Sequence, residues 1–137
     1  MSLPELNDAE TIGRSVFSSS RAKRGRRGIV VPDIFLEKPA ADSISMDRMD
    51  HASPTDLATL SKETGRSRTP QQDFYGWATL EVREAASSGR SVRATPKEDN
   101  VYHVDIFLNL PDDDERRDRQ KQHATELAAL ATWLDAP

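Results

Sequence analysis

The segment Asn100–Leu110, with the sequence NVYHVDIFLNL, constrains the fold of this chain more than any other stretch. Its side chains alternate in the way that is typical of a β-strand with one buried face. The apolar face carries Tyr102, Val104, Ile106, Leu108 and Leu110, and the other face carries His103, Asp105, Phe107 and Asn109. Since the apolar face is complete without them, His103 and Asp105 lie either in solvent or in a site.

The first half of the chain predicts two helices and two extended segments. Asn7 caps a helix over NDAETIGRSVF, and Ser53 followed by Pro54 starts a second helix, SPTDLATLSKETG. IVVPDIFL is apolar and β-branched, but Pro32 cannot donate to a ladder, which favours an edge strand or a bend. SISMDRMD alternates as a short strand, with Ile44, Met46 and Arg48 on one side.

The second half predicts further strands and one long helix. FYGWATLEV reads as a strand by its aromatic and β-branched residues, and SVRAT as a shorter one. The final helix is expected to begin at Pro111 and to run without Gly or Pro to Leu134. The order of elements indicates an α+β fold: a small, mostly antiparallel sheet with helices packed on one face and a long C-terminal helix.

Length and composition limit the class of protein. The 137 residues suit a single domain over 1–137, with a flexible basic arm at 18–28 and a linker at 65–73. The absence of cysteine excludes disulfides, thiolate metal sites and cysteine nucleophiles. No apolar run approaches the roughly 20 residues of a membrane span, and the start resembles no secretion signal. We therefore expect a cytoplasmic protein with no membrane partner.

The basic arm is the most specific electrostatic feature of the sequence. The whole chain has a net charge of −4, but no acidic residue lies between Arg14 and Arg27. The cationic residues of the arm are Arg21, Lys23, Arg24, Arg26 and Arg27. They are candidates for contacts with nucleic-acid phosphates, which are independent of base sequence and sensitive to salt. The alternative is a solvated loop that pairs with the chain's own acids, such as Asp112 to Glu115.

A second candidate site centres on His103 and Asp105. Residues two apart on a strand are too far apart for a short aspartate to bond the histidine directly, so a working pair needs a third group. Arg48 and His51 are the candidates for that group. The alternative is a solvated strand face. No motif for a nucleophile, a nucleotide cradle or a metal accompanies the pair, and we predict no metal or cofactor.

A third candidate surface lies on the final helix. Its apolar face, which includes Leu127 and Leu130, continues toward the helix start through polar residues at helical spacing. These residues are Arg116, Gln120 and His123. They form either a surface for a partner or a solvated overhang of the helix.

Four short segments together resemble a loose set of small, uncharacterised bacterial proteins. The segments are RSVFSSS, VPDIFL, SISMDRMD and NVYHVDI, and the set shows, in the same order, an FS segment, a P..F segment, an SVDR-like strand and an NPYHADI-like strand. Val101 stands in place of the proline, and Val104 in place of the alanine. The resemblance implies a bacterial origin and draws attention to Arg48, His103 and Asp105, without implying a chemistry.

Together these features predict a small accessory protein without catalysis of its own. It binds a protein partner, and the basic arm makes nucleic acid a second candidate partner. The alternative is a metal- or phosphate-dependent hydrolase that uses His103 and Asp105 with His51 or Arg48. The sequence indicates no oligomeric state.

Overall fold

The computed structural model describes residues 2–137, which form six strands, four α-helices and one 3₁₀ helix. The strands are β1 Thr11–Val16, β2 Ser43–Arg48, β3 Gly76–Glu81, β4 Ser91–Ala94, β5 His103–Phe107 and β6 Thr132–Asp135. The helices are α1 Ser19–Arg26, α2 Pro54–Arg66, α3 Val82–Ala85 and α4 Arg116–Leu130, and the 3₁₀ helix is Pro32–Phe35.

All six strands belong to one sheet, in the order β4-β5-β2-β1-β3-β6. Every neighbouring pair is antiparallel. The α+β class, the antiparallel sheet and a helix near the C-terminus are thereby confirmed. β5, the strand predicted from Asn100–Leu110, pairs with β2 on one side and β4 on the other. Its Val104 and Ile106 are completely buried, as the alternation predicts.

Helices cover both faces of the sheet, whereas the sequence suggested one. The main core includes Ala78 of β3 together with Ala124 and Leu127 of α4. The next residue back on the same strand, Trp77, packs with Leu57 of α2 in a second, separate cluster. Because adjacent strand residues point to opposite faces, α2 and α4 lie on opposite sides of the sheet.

The predicted first helix was wrong, because the segment from residue 11 is strand β1. β1 pairs along its whole length with β3 and also with β2, so that it lies inside the sheet. Ile12 and Val16, four residues apart, suit a helical stripe and one face of a strand equally well. The strand is the more stable form here because β1 makes backbone hydrogen bonds to a neighbouring strand on each side, which a helix could not make.

The predicted basic arm contains helix α1 rather than an irregular loop. Ser18 caps the helix by accepting a hydrogen bond from the backbone N–H of Arg21. Ala22 and Gly25 are the buried positions of α1, and Gly25 faces the indole of Trp133. Because the buried residues of α1 are small, the sequence shows no apolar stripe that would predict this packed helix. The IVVPDIFL segment likewise bends into the 3₁₀ helix from Pro32, not an edge strand.

The C-terminal helix is shorter than predicted at both ends. α4 begins at Arg116, not Pro111, and ends at Leu130; the chain then turns to form the edge strand β6. β-branched and aromatic residues at 132–133 suit a strand, and β3 offers an open edge to pair with. No helix within residues 2–137 is both long and apolar enough to cross a membrane.

The second helix and the shorter strands follow their predicted start signals. Ser53 accepts a hydrogen bond from the N–H of Asp56, and Pro54 occupies the first helical position of α2. β2 buries Ile44, Met46 and Arg48 on one side, as the alternation indicates. Residues 67–75, within and just beyond the predicted linker, contain no helix or strand.

We predict that Gly25→Ala destabilises the protein. A Cβ at this position would lie 2.5–2.9 Å from three ring atoms of Trp133, which is too close for real contacts. In an unconstrained helix the same change would stabilise by about 1 kcal/mol. We expect instead a loss of about 1–3 kcal/mol in the free energy of unfolding, as in other overpacked contacts.

Urea denaturation measures this effect, and Arg24→Ala on the exposed side of α1 is the control. A gain in stability for Gly25→Ala would show that α1 does not dock on Trp133.

Candidate functional site

A polar cavity of about 540 Å³ lies over the sheet face that carries α2. Its floor consists of side chains that point away from the main core, namely Ser15, Ser45, Asp47 and His103. One wall is the face of α2 around Ser61 and Thr64, and another is the connection between β4 and β5, with Lys97, Asp99 and Asn100. Such a volume falls in the range of small-molecule sites in proteins.

Asp47 and His103 are direct cross-strand neighbours on this floor. They are paired in the register of β2 and β5, so their side chains leave the same sheet face next to each other. Directly opposed side chains of an antiparallel pair have Cβ atoms about 4.5–5.5 Å apart. The sequence could not predict this pairing, because the register of two strands more than fifty residues apart follows from the assembled sheet.

Thr95 is the third group that the His103/Asp105 pair requires. Nδ1 of His103 lies 3.8 Å from Oδ2 of Asp105, too far for a hydrogen bond. The Thr95 hydroxyl bridges the two, at 2.8 Å from each. A hydroxyl that donates to the carboxylate must accept from Nδ1, so the Nδ1 atom carries a proton.

The other ring nitrogen of His103 has no partner. His103 is only 7% exposed, and its Nε2 is buried without a hydrogen bond to any of residues 2–137. Because a buried polar atom without a partner costs about 1–3 kcal/mol, natural proteins retain few of them. Nε1 of Trp77 is the other buried side-chain nitrogen without a partner among residues 2–137. Of the two residues, His103 lines the cavity and Trp77 does not, so His103 is the candidate ligand-binding group.

Asp47 is also held in an unfavourable environment. Burial raises the pKa of its carboxyl, and the hydrogen bond that Oδ1 accepts from Asn100, at 2.8 Å, offsets this only in part. Oδ2 makes no hydrogen bond within the described chain. A carboxyl with a raised pKa beside a histidine in a cavity is a common feature of functional sites.

Two arginines line the cavity. Arg14 and Arg68 line both the cavity and a smaller adjoining hollow of about 160 Å³, to which Arg21 of α1 also contributes. Arg14 is engaged within the chain: it forms an ion pair with Glu37 and donates to the carbonyl oxygens of Ile34, at 3.3 Å, and Ser45, at 2.9 Å. The guanidinium of Arg68 lies 4.1 Å from the ring centre of Phe17. Its one hydrogen bond within residues 2–137 goes to Gln72, so most of its donors are free for a ligand.

The charges around Arg68 are mixed. Burial lowers the pKa of Arg68, the charge of Arg14 lowers it further, and the nearby carboxylate of Glu37 raises it. The cavity lining carries both signs of charge: the cations Arg14, Arg68 and Lys97, and the carboxylates Glu37, Asp47, Glu63 and Asp99. Arg14 is paired with Glu37, whereas Arg68 and Lys97 have no ion pair within residues 2–137, so these two are the cations that an anionic group can bind.

Arg48 and His51 do not join His103, contrary to the hypothesis of a shared site. Arg48 lies on the opposite sheet face, where Nε donates to Oε1 of Glu10 at 2.7 Å and Nη2 to Oε2 at 3.1 Å. Nε2 of His51 lies 2.8 Å from the same carboxylate. We call Glu10, Arg48 and His51 the Arg48 cluster. Glu10 and Arg48 are each 2% exposed and form a buried ion pair, and His51, whose side chain is 24% exposed, covers it. The ion pair connects Glu10, which directly precedes β1, to Arg48, the last residue of β2.

The predicted partner surface on α4 is also engaged within the chain. Arg116 donates to the carbonyls of Leu110 and Ala41, and buried Gln120 donates to Pro39 and Ala41. Nδ1 of His123 accepts a hydrogen bond from Arg90, 2.8 Å away. Burial and the charge of Arg90 lower the pKa of His123. These three residues hold α4 against its neighbours, which corrects the hypothesis of a free surface.

The basic residues of the arm are spread over the side of α1 that lies away from buried Ala22 and Gly25, and Arg27 is its C-cap. Arg26 pairs with Asp135, and Arg21 approaches Asp33 to 4.0 Å. Lys23, Arg24 and Arg27 are exposed and have no ion pair within the described residues. We call Arg21, Lys23, Arg24, Arg26 and Arg27 the α1 basic face. Through Arg21 it adjoins the smaller hollow beside the cavity, which Asp33 also lines.

Sequence reasoning missed Asp47 as a site residue, and it missed Thr95, Arg68 and Glu10 altogether. Each acquires its role from a partner distant in sequence or on a separate element, so no local motif marks it. Within residues 2–137, no three side chains of the types His, Asp or Glu are grouped so that they could hold a metal ion.

Comparison with known proteins finds no match to this chain among protein-family models, curated proteins or solved structures. Its function is therefore inferred from its own residues.

We predict that Glu10→Gln destabilises the protein by about 3–5 kcal/mol, because it leaves the buried guanidinium of Arg48 without its carboxylate. Burial raises the pKa of Glu10, but the hydrogen bond and charge of Arg48 outweigh it, so the folded pKa is lowered overall. A lowered pKa stabilises the fold above the unfolded value of 4.5 and loses this effect as the pH falls through the folded value. The difference from Glu10→Gln should therefore shrink in acid.

Urea denaturation from neutral to acid pH measures both effects. The exposed pair of Glu81 and Arg83 supplies the control, since Glu81→Gln should cost less than about 1 kcal/mol. Equal losses for the two variants would contradict a buried pair at Glu10.

We predict that Asp47→Asn stabilises the protein at neutral pH. A carboxyl whose folded pKa lies above the unfolded value of 3.8 destabilises the fold progressively as the pH rises from about 3.8 through the folded value. The amide carries no charge and keeps an oxygen for Asn100. Chemical denaturation should show no gain below the unfolded value of 3.8 and a gain that grows as the pH rises above it toward neutrality. Asp118→Asn, on the exposed side of α4, should show no such gain.

Proposed function

We propose that this chain is a small accessory protein that binds single-stranded nucleic acid, with the cavity as its nucleotide site. The observation that carries the proposal is the guanidinium of Arg68, with most of its donors free, in the lining of a cavity that also contains the unpartnered Nε2 of His103. A phosphate can accept hydrogen bonds from Arg68, and the polar atoms of a nucleotide can pair with the groups of the floor.

The arrangement of cations supports an extended ligand over a single small anion. The smaller hollow, lined by Arg21 and Asp33 among others, leads from the cavity to the α1 basic face, where Lys23, Arg24 and Arg27 are unpaired within the described chain. Successive phosphates of one strand can therefore contact the same protein surface. This retains the sequence-based hypothesis of phosphate contacts, but moves the specific part of the site from α1 to the cavity.

The cavity favours a single strand over a duplex. A volume of about 540 Å³ admits one nucleotide, and an unpaired base can enter it directly. A base in a duplex must first leave its stack, at a cost of a few kcal/mol.

A protein partner, a cytoplasmic location and a bacterial origin stay predictions from the sequence. No contact in the structure bears on them.

The binding test uses a labelled single-stranded DNA of about twelve nucleotides, which lacks the 2′-hydroxyl and so reports binding alone. We expect fluorescence anisotropy to show binding at low salt, which weakens steeply as salt is added. Arg68→Gln should weaken binding and reduce the slope of log affinity against log salt by about 0.7, the value for one phosphate contact on a single strand. Arg24→Ser with Arg27→Ser should reduce it further.

Lys62→Gln is the matched control, since it removes one exposed cation from α2 outside the cavity lining. Absence of binding at low salt would overturn the proposal. Equal losses for Lys62→Gln and Arg68→Gln would also overturn it, because binding would then reflect total charge alone.

A further inference from the structure

Asp47 and His103 each have one polar atom fixed by the protein and a second one free. Oδ1 of Asp47 is held by Asn100, while Oδ2 has no partner within residues 2–137. Nδ1 of His103 is held by the hydroxyl of Thr95 and lies 3.1 Å from its carbonyl oxygen, while Nε2 has no partner. Two neighbouring titratable groups thus line one cavity, each oriented by a hydrogen bond on its far side.

The hydrogen bonds behind His103 determine how its ring can exchange a proton. Two acceptors, the hydroxyl and the carbonyl of Thr95, face Nδ1, which therefore keeps its proton in either charge state of the ring. The proton that the ring gains or loses is consequently on Nε2, the atom without a protein partner. Asp105, bonded to the Thr95 hydroxyl at 2.8 Å, fixes the direction of that hydroxyl.

We propose that this cavity cleaves single-stranded RNA, with Asp47 as general base, His103 as general acid and Arg68 as the group that binds the phosphate. The inference rests on the proposed function, because the strand must first bind in the cavity through Arg68. It gives a role to three groups of the cavity lining that have hydrogen-bonding capacity left unused within residues 2–137.

The reaction needs no co-reactant beyond the RNA. The carboxylate of Asp47 takes the proton of the ribose 2′-hydroxyl, and the 2′-oxygen forms a bond to phosphorus. The bond from phosphorus to the 5′-oxygen of the next nucleotide breaks, and that oxygen takes the proton from Nε2 of His103. The products are a 2′,3′-cyclic phosphate and a 5′-hydroxyl end. Proton exchange with water then restores both side chains.

The environment of each residue suits its role. Burial of Asp47 raises its pKa, which makes its carboxylate a better proton acceptor than an exposed aspartate. Arg68 presents free guanidinium donors to a phosphate in the cavity, where they would stabilise the negative charge that develops on its oxygens. Lys97 acts electrostatically on Asp47 and adds a second cation to a lining that also carries Glu37, Glu63 and Asp99. Arg68 is also kept in place by its contact with Phe17.

The test compares an RNA strand with a DNA strand of the same sequence. We expect the full-length protein to bind both and to cut only the RNA, leaving cyclic phosphate ends. His103→Asn and Asp47→Asn should each lower the cleavage rate by at least about 100-fold, the usual contribution of a general acid or base. Neither change should abolish binding to the DNA strand, which Arg68→Gln should weaken.

Two controls separate catalysis from folding and contamination. His51→Asn removes a histidine of the Arg48 cluster, on the other sheet face, and should leave the cleavage rate of the folded protein unchanged. Asp47→Asn is expected to be more stable than the parent protein, so its loss of activity cannot come from unfolding; thermal melting checks this directly.

Each outcome decides between the two proposals. Binding of both strands with intact RNA would overturn the cleavage inference and leave the binding proposal standing, in agreement with a protein that has no catalysis of its own. Failure to bind either strand would overturn both. Cleavage that persists at full rate in the His103 and Asp47 variants would assign the activity to a contaminant and overturn the inference.

Discussion

The alternation of side chains along the antiparallel strands is the constraint on which the rest of the structure depends. Met46 of β2 and Val104 of β5 are buried in the main core, and their chain neighbours are Asp47 and His103. Burial of one set therefore places the other set together on the opposite face. The core and the candidate site are two consequences of a single register, and a slip of one residue would exchange them.

The Arg48 cluster and the cavity pair, Asp47 and His103, differ in how well their buried polar atoms are paired. In the Arg48 cluster both oxygens of the Glu10 carboxylate accept hydrogen bonds from Arg48, through Nε and Nη2. In the cavity, Nε2 of His103 is buried without a partner among residues 2–137, and burial raises the pKa of Asp47. The paired group contributes to the stability of the fold, whereas the unpaired one costs free energy. Such a cost is typical of groups that await a ligand.

The elements that sequence reasoning predicted well have signals confined to their own residues. β5 alternates without interruption, and α2 begins with a serine cap and a proline in the first helical position. The elements that it missed depend on neighbours. β1 is a strand because β2 and β3 lie on either side of it, and α1 is held by the contact of Gly25 with Trp133. β6 exists because β3 has a free edge, although its residues extend a helical pattern.

The sequence by itself determined the α+β class and the buried face of β5, because strand periodicity and helix caps act within a few residues. It also showed that His103 and Asp105 take no part in the core, and that their spacing requires a third group. Only the tertiary structure decided that this group is Thr95, that Asp47 is the neighbour of His103, and that Arg48 belongs elsewhere. Those contacts depend on strand register and order, which the packing of the whole sheet selects.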